Sequence, residues 1–138
     1  MLAFGAVPGA LARIALAHGH YLIPRADGTV LAGSTLEETG FDASTTSAAR
    51  TGLERFATAL LPALRDAPVV AQWSGLRPGS DDGVPTIAPH PVVAGLWVNA
   101  GHYRNGVVMA PASAELLARL VAAETPDPDP APYAWPPE

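Results

Sequence analysis

Cysteine is absent from this chain, so neither disulfides nor thiolate metal sites can form, and the composition is compatible with the cytoplasm. Positive charge is scarce. Only 8 Lys and Arg residues stand against 13 Asp and Glu, and the basic residues do not cluster, which leaves no footprint for nucleic acid. Charged residues of both signs make up 15% of the chain, where about 25% is usual for a free-standing soluble domain. That deficit implies surface covered by another domain, a partner chain or a second copy. No long hydrophobic run is present either. Met1 to Leu22 is apolar, but Arg13 and Pro8-Gly9 interrupt it and no charged segment precedes it. It fits neither a signal peptide nor a membrane span of ~20 residues, so a soluble, cytoplasmic protein is expected. What remains is 138 residues with 49% hydrophobic content, enough for the core of one domain.

Along the chain, Leu2 to Val7 reads as a short strand ended by Pro8-Gly9. His20–Pro24 and Thr29–Ser34 flank Arg25-Ala26-Asp27-Gly28, whose Asp-Gly pair predicts a hairpin. Thr51-Gly52-Leu53-Glu54 has the spacing of a capping box and predicts a helix start after a polar loop over Gly40–Ser47. Leu53, Phe56, Ala57, Leu60, Leu61 and Leu64 then recur on one helical face, and Pro62 should end that helix near Leu61. Further strands are expected at Val69–Leu76, Val84–Ala88 and Leu96–Gly101, with a turn at Ser80-Asp81-Asp82-Gly83. A last helix is expected over Val107–Ala123, with Leu117, Leu120 and Val121 inward. From residue 124 the alternation of Pro and Asp predicts a disordered tail beyond a folded region of 1–123. Strands outnumber helices without regular βαβ alternation, so the fold class is α+β with a largely antiparallel sheet.

The densest chemistry lies in Gly101-His102-Tyr103-Arg104-Asn105-Gly106-Val107-Val108, followed by Pro111. A buried strand runs through a glycine turn into a helix N-terminus, where free N–H groups and the positive dipole end favour an anion or a carbonyl of negative character. Arg104 adds a planar fork suited to a carboxylate. Arg77, between a strand and Pro78-Gly79, admits two roles: a carboxylate anchor, or a structural ion pair with Asp81 or Asp82 across the turn.

These segments, with Trp73-Ser74-Gly75-Leu76-Arg77-Pro78-Gly79 and Tyr21-Leu22-Ile23-Pro24-Arg25, resemble the C-terminal part of the FAD-dependent amino-acid oxidases of the D-amino-acid oxidase superfamily, the glycine oxidases of thiamine biosynthesis above all. The resemblance runs from about Met1 to Val121 and lacks the dinucleotide-binding half with which that family begins. It implies FAD as cofactor, a small amino acid as substrate, and a dinucleotide-binding part or partner chain supplied from elsewhere. It also implies that Arg77, Arg104 and Tyr21 bind the substrate carboxylate. Gly101, His102, Arg104, Asn105, Gly106, Val107 and Val108 would meet the flavin, although His102 carries no clear chemical duty in the pattern. No side chain is implied as a catalytic acid or base. Tyr103 and Trp73 read as packing residues or pocket walls. The isolated chain is expected to be inactive; the rival function is a non-catalytic carboxylate-binding or interaction module on the same fold.

Other motifs carry less. His18-x-His20 would set two imidazoles on one face of a strand, but no third ligand lies near, so no metal site is expected. Serine hydrolase chemistry lacks its G-x-S-x-G elbow. Phe4-Gly5-Ala6-Val7-Pro8-Gly9-Ala10 echoes a Rossmann turn, but Val7 would block the pyrophosphate, and Asp27 belongs to the hairpin turn.

Overall fold

The computed structural model describes residues 1–5 and 8–135, and the chain forms two compact units, Met1–Leu76 and Arg77–Glu138. Ala6 and Val7, the expected end of the first strand, lie outside the described residues, as do residues 136–138.

In the first unit, strands β1 (Leu2–Phe4), β2 (Ala15–Ala17), β3 (His20–Pro24), β4 (Val30–Gly33) and β5 (Val69–Gln72) form one antiparallel sheet, ordered β2-β3-β4-β1-β5. Helix α1 (Ser47–Leu60) lays Leu53 and Ala57 on it, completing a core with Leu2, Phe4, Leu22, Val30, Ala32 and Leu64. The antiparallel α+β class is therefore correct. The β3–β4 hairpin forms as its Asp-Gly pair predicts. Gly28 adopts φ 86° and donates to the Arg25 carbonyl at 3.0 Å, while Arg25 donates to the Thr29 carbonyl at 2.8 Å. Asp27 accepts the Thr29 N–H at 2.9 Å, which holds its carboxyl below the usual aspartate range and keeps it in the turn.

Four local expectations of the first unit need correction. His18 is not on a strand: His18 and Gly19 both have positive φ (51° and 76°) and form the two-residue turn between Ala17 and His20. The two imidazoles therefore do not share a strand face. Strand β2 itself was not expected, because Ala15-Leu16-Ala17 contains no β-branched or aromatic residue. Helix α1 starts earlier than the capping box predicts. Thr46 is its N-cap and accepts the Ala49 N–H at 3.1 Å, and Glu54 pairs with Arg50 one turn back at 2.9 Å instead of capping. Its end is as expected, since Pro62 opens a 3₁₀ turn, Pro62–Leu64, that delivers Leu64 to the core. The strand expected over Val69–Leu76 stops at Gln72.

In the second unit, β6 (Thr86–Pro89) and β7 (Trp97–Ala100) pair antiparallel, and α2 (Gly106–Val121) buries Leu116, with Ile87 and Ala88 of β6 also buried. The expected inward face of α2 is rotated. Ser113 and Leu116 are buried and Leu117 and Leu120 half-buried, whereas Val121 is 55% exposed. At about 100° per residue, Val121 stands about 140° around the helix from Leu116, off the stripe that Ser113, Leu116 and Leu120 share. In the Pro- and Asp-rich segment, Ala131–Tyr133 form a 3₁₀ turn and the Trp135 ring lies 4.8 Å from that of His90.

Two substitutions in adjacent residues of α1 should act in opposite directions. Leu53→Ala removes a core side chain and should cost about 2–5 kcal/mol in urea unfolding. Gly52→Ala, with open space around its missing side chain, should raise stability by about 0.5–1 kcal/mol in the same measurement.

Candidate functional site

The second unit builds its site from two loops and a helix end. The first loop follows Arg77: Gly83 (φ 77°) donates to the Ser80 carbonyl at 3.3 Å, and Asp82 accepts the Val84 N–H at 2.9 Å, closing the expected turn. The second is the glycine turn after β7. Gly101 is buried at φ 87°, and a side chain there would meet the Pro85 Cα at 3.4 Å and the Ser80 Cβ at 3.6 Å. These are ordinary van der Waals distances, so it is the left-handed conformation that calls for glycine. Tyr103 also takes positive φ, 50°, a strained conformation for a side chain of its size.

One backbone bond joins the loops. The Tyr103 N–H donates to the Pro78 carbonyl at 2.8 Å, so the residue after Arg77 is tied to the residue before Arg104. Asn105 then donates to the His102 carbonyl at 2.9 Å and accepts from Met109 at 2.9 Å, opening α2. The Asn105 side chain makes no capping bond, so no side chain of the N-cap covers the N–H groups of Gly106, Val107 and Val108. Val107 and Val108 are 92% and 85% exposed, which leaves that first turn open.

Arg77 and Arg104 are both exposed. Ion pairs among the described residues join Arg50 to Glu54 and Arg119 to Glu115; none joins Arg77 to Asp81 or Asp82. The structural alternative for Arg77 is therefore not realised, and neither Arg77 nor Arg104 forms an ion pair among the described residues. His102 has a partner: its Nε2 shares a hydrogen bond of 2.8 Å with the Ser113 hydroxyl, and Ser113 is 3% exposed. The sequence reading missed Ser113 and Ser80. The Ser80 Oγ is buried beneath the glycine turn without a hydrogen-bond partner among the described residues. Only the helical stripe of α2 could have singled out Ser113, and that stripe was misread by a rotation.

In the first unit, Tyr21 lies on β3 opposite Gly33, and its hydroxyl donates to the Met1 sulfur at 3.4 Å. A side chain at Gly33 would overlap that sulfur and lie 2.9 Å from the Tyr21 ring, so the glycine makes room for the tyrosine. A separate groove of about 520 Å³ runs between the β2–β3 turn and α1, lined by Ala17, His18, His20, Gly52 and Phe56 among others. It contains none of the expected site residues. His20 is occupied there, with Nδ1 3.1 Å from the Ser34 carbonyl and its ring 5.0 Å from that of Phe56. Trp73 and Tyr103, expected as packing residues, are both partly exposed, at 39% and 42%.

The model of the FAD dependent oxidoreductases matches residues 4–120. The chain belongs to that family. Family members depend on FAD, and the glycine turn lies inside the matched region. Glycine oxidase of Pseudomonas aeruginosa is 56% identical over 124 residues, which is 90% of this chain and 34% of that protein. Glycine oxidase of Pseudomonas putida is 51% identical over 134 residues, 97% of this chain and 37% of the relative. The crystal structure of glycine oxidase from Geobacillus kaustophilus superimposes with a TM-score of 0.86 at 34% identity, over 96% of this chain and 36% of that one. The chain thus spans about a third of the length of the relatives it matches. No helix among the described residues is long and apolar enough to cross a membrane.

Gly101→Ala tests the turn directly. It should cost about 1–2 kcal/mol through left-handed strain alone, and the Tyr103 amide should lose protection from hydrogen exchange. Retention of that protection would separate the turn from its glycine.

Proposed function

We propose that this chain is the substrate-binding and flavin-capping part of a cytoplasmic, FAD-dependent oxidase of a small amino acid, similar to glycine oxidase. It would act with a dinucleotide-binding part carried on the same longer polypeptide or on a partner chain. The observation that carries this reading is the Tyr103–Pro78 bond, which joins the loops of two unpaired arginines at an open helix N-terminus.

The residues of the second unit fit a flavin. The free N–H groups of the first turn of α2 suit a ring edge that gains negative charge on reduction, and the exposed Val107 and Val108 offer it apolar contact. The orphaned Ser80 hydroxyl beside Gly101 adds a polar group still in need of a partner. When bound, FAD accepts the two electrons of an amine oxidation. The rest is orientation. Arg77 takes the substrate carboxylate as a bidentate fork, Arg104 supplies a second positive charge, and together they set which face the Cα–H presents. The family resemblance gives Tyr21, on the first unit, a hydroxyl role in carboxylate binding. His102 is not a free base at Nε2, because that nitrogen is engaged by Ser113. The turn therefore orients and stabilises without transferring a proton, which requires the amine to arrive neutral.

The test is a chimera. This chain replaces the matching C-terminal third of the Pseudomonas aeruginosa glycine oxidase, and the isolated chain is assayed beside it. The isolated chain should bind FAD weakly and turn over no glycine. The chimera should bind FAD and lose its flavin colour when glycine is added without oxygen. A colourless chimera, or turnover by the isolated chain, would overturn the reading. In the active chimera, Arg77→Ala should lower kcat/KM by roughly 30–1000-fold, the equivalent of ~2–4 kcal/mol of lost charge pairing. An unchanged kcat/KM would remove Arg77 from the site.

A further inference from the structure

Ser113 lies seven residues into α2 (Gly106–Val121), far along the helix from the free N–H groups, yet its buried hydroxyl reaches back to His102 in the glycine turn. His102 also lies close to the helix start: a Cβ built at Gly106 would stand 3.6 Å from the His102 Cβ. A serine in a helix interior usually bonds its own preceding turn or faces solvent. This one is 3% exposed and holds a group eleven residues earlier in the chain. The bond closes a loop containing Tyr103, Arg104, Asn105 and the first turn of α2.

We infer that Ser113 is a positioning residue that acts through His102. The bond sets the angle at which the glycine turn meets α2, and with it the aim of the Arg104 fork and of the Gly106–Val108 N–H groups. This gives His102 the duty that its place in the motif leaves unexplained. Its ring braces the turn from behind and needs no contact with substrate. The strained Tyr103 backbone makes such a brace necessary, since a left-handed residue persists only where its surroundings hold it. The inference about the turn stands on geometry alone; its consequence for catalysis rests on the oxidase reading.

Hydrogen exchange of the 138-residue chain tests the brace without flavin. The amides of Tyr103, Asn105 and Met109 are bonded and report the turn. In Ser113→Ala they should exchange roughly 3–10-fold faster, the range expected for one lost hydrogen bond. Ser113→Thr should restore protection, because only the hydroxyl is required. His102→Ala should match Ser113→Ala, and the double variant should exchange no faster than either, since both remove one bond. The Nε2 nitrogen resonance of His102 should move in Ser113→Ala and return in Ser113→Thr. Exchange within twofold of wild type in both single variants, or failure of threonine to restore it, overturns the brace. In the chimera, Ser113→Ala should lower kcat more than it raises KM, with recovery in Ser113→Thr; an unchanged kcat overturns the positioning role. A chimera inactive with Ser113 intact would instead sink the oxidase reading, and the exchange experiment would still decide the brace.

Discussion

The hydrogen bond from the Tyr103 amide to the Pro78 carbonyl is the constraint on which the second unit depends. It is a single neutral bond, and alone such a bond contributes only ~0.5–1.5 kcal/mol. Its weight comes from where it falls. It joins the neighbours of two arginines that lie 27 residues apart in the chain, and it does so only because Gly101 can turn with φ 87° against Pro85 and Ser80. A side chain at Gly101 would strain that turn by about 1–2 kcal/mol and weaken the tie between the Arg104 loop and the Arg77 loop.

Around this bond the unit spends strain in one place and satisfies it in others. Tyr103 is held in a conformation that L-residues avoid, while its amide is bonded to Pro78, its successor but one is bonded to the His102 carbonyl, and the His102 ring is bonded to Ser113. Each neighbour removes one freedom of the turn. Among the described residues, Arg77 and Arg104 form no ion pair, no side chain caps the first N–H groups of α2, and the Ser80 hydroxyl has no partner.

The first unit is governed differently. Its five strands and α1 are held by apolar burial, and its polar groups are mostly local: Asp27 serves its own turn, Thr46 its own helix, and Glu54 pairs with Arg50. Its groove between the β2–β3 turn and α1 is lined by apolar residues such as Leu53, Phe56 and Leu60 together with His18, His20, Thr35 and Arg55.

Local chemistry was legible in the residue order wherever a structure depends on few neighbours. The Asp-Gly hairpin, the Pro62 helix end, the Ser80–Gly83 turn and the glycine turn into α2 all follow from conformational limits of proline and glycine, which act within four or five residues. The antiparallel α+β class followed from the spacing of strands. Long-range partners were a different matter. A helix start can shift five residues, from Thr51 to Thr46, because both threonines can cap and the acid Glu54 pairs with Arg50 instead. The inward stripe of α2 was misjudged by a rotation because Leu117, Leu120 and Val121 are all apolar, and only the surface they meet decides which is buried. The ion pair open to Arg77 in the sequence is not formed, because the loop places Asp82 on its own backbone. The partner of Ser113 was not legible even where the stripe of α2 could have placed the serine inward, because only folding brings the histidine eleven residues earlier back against the same helix.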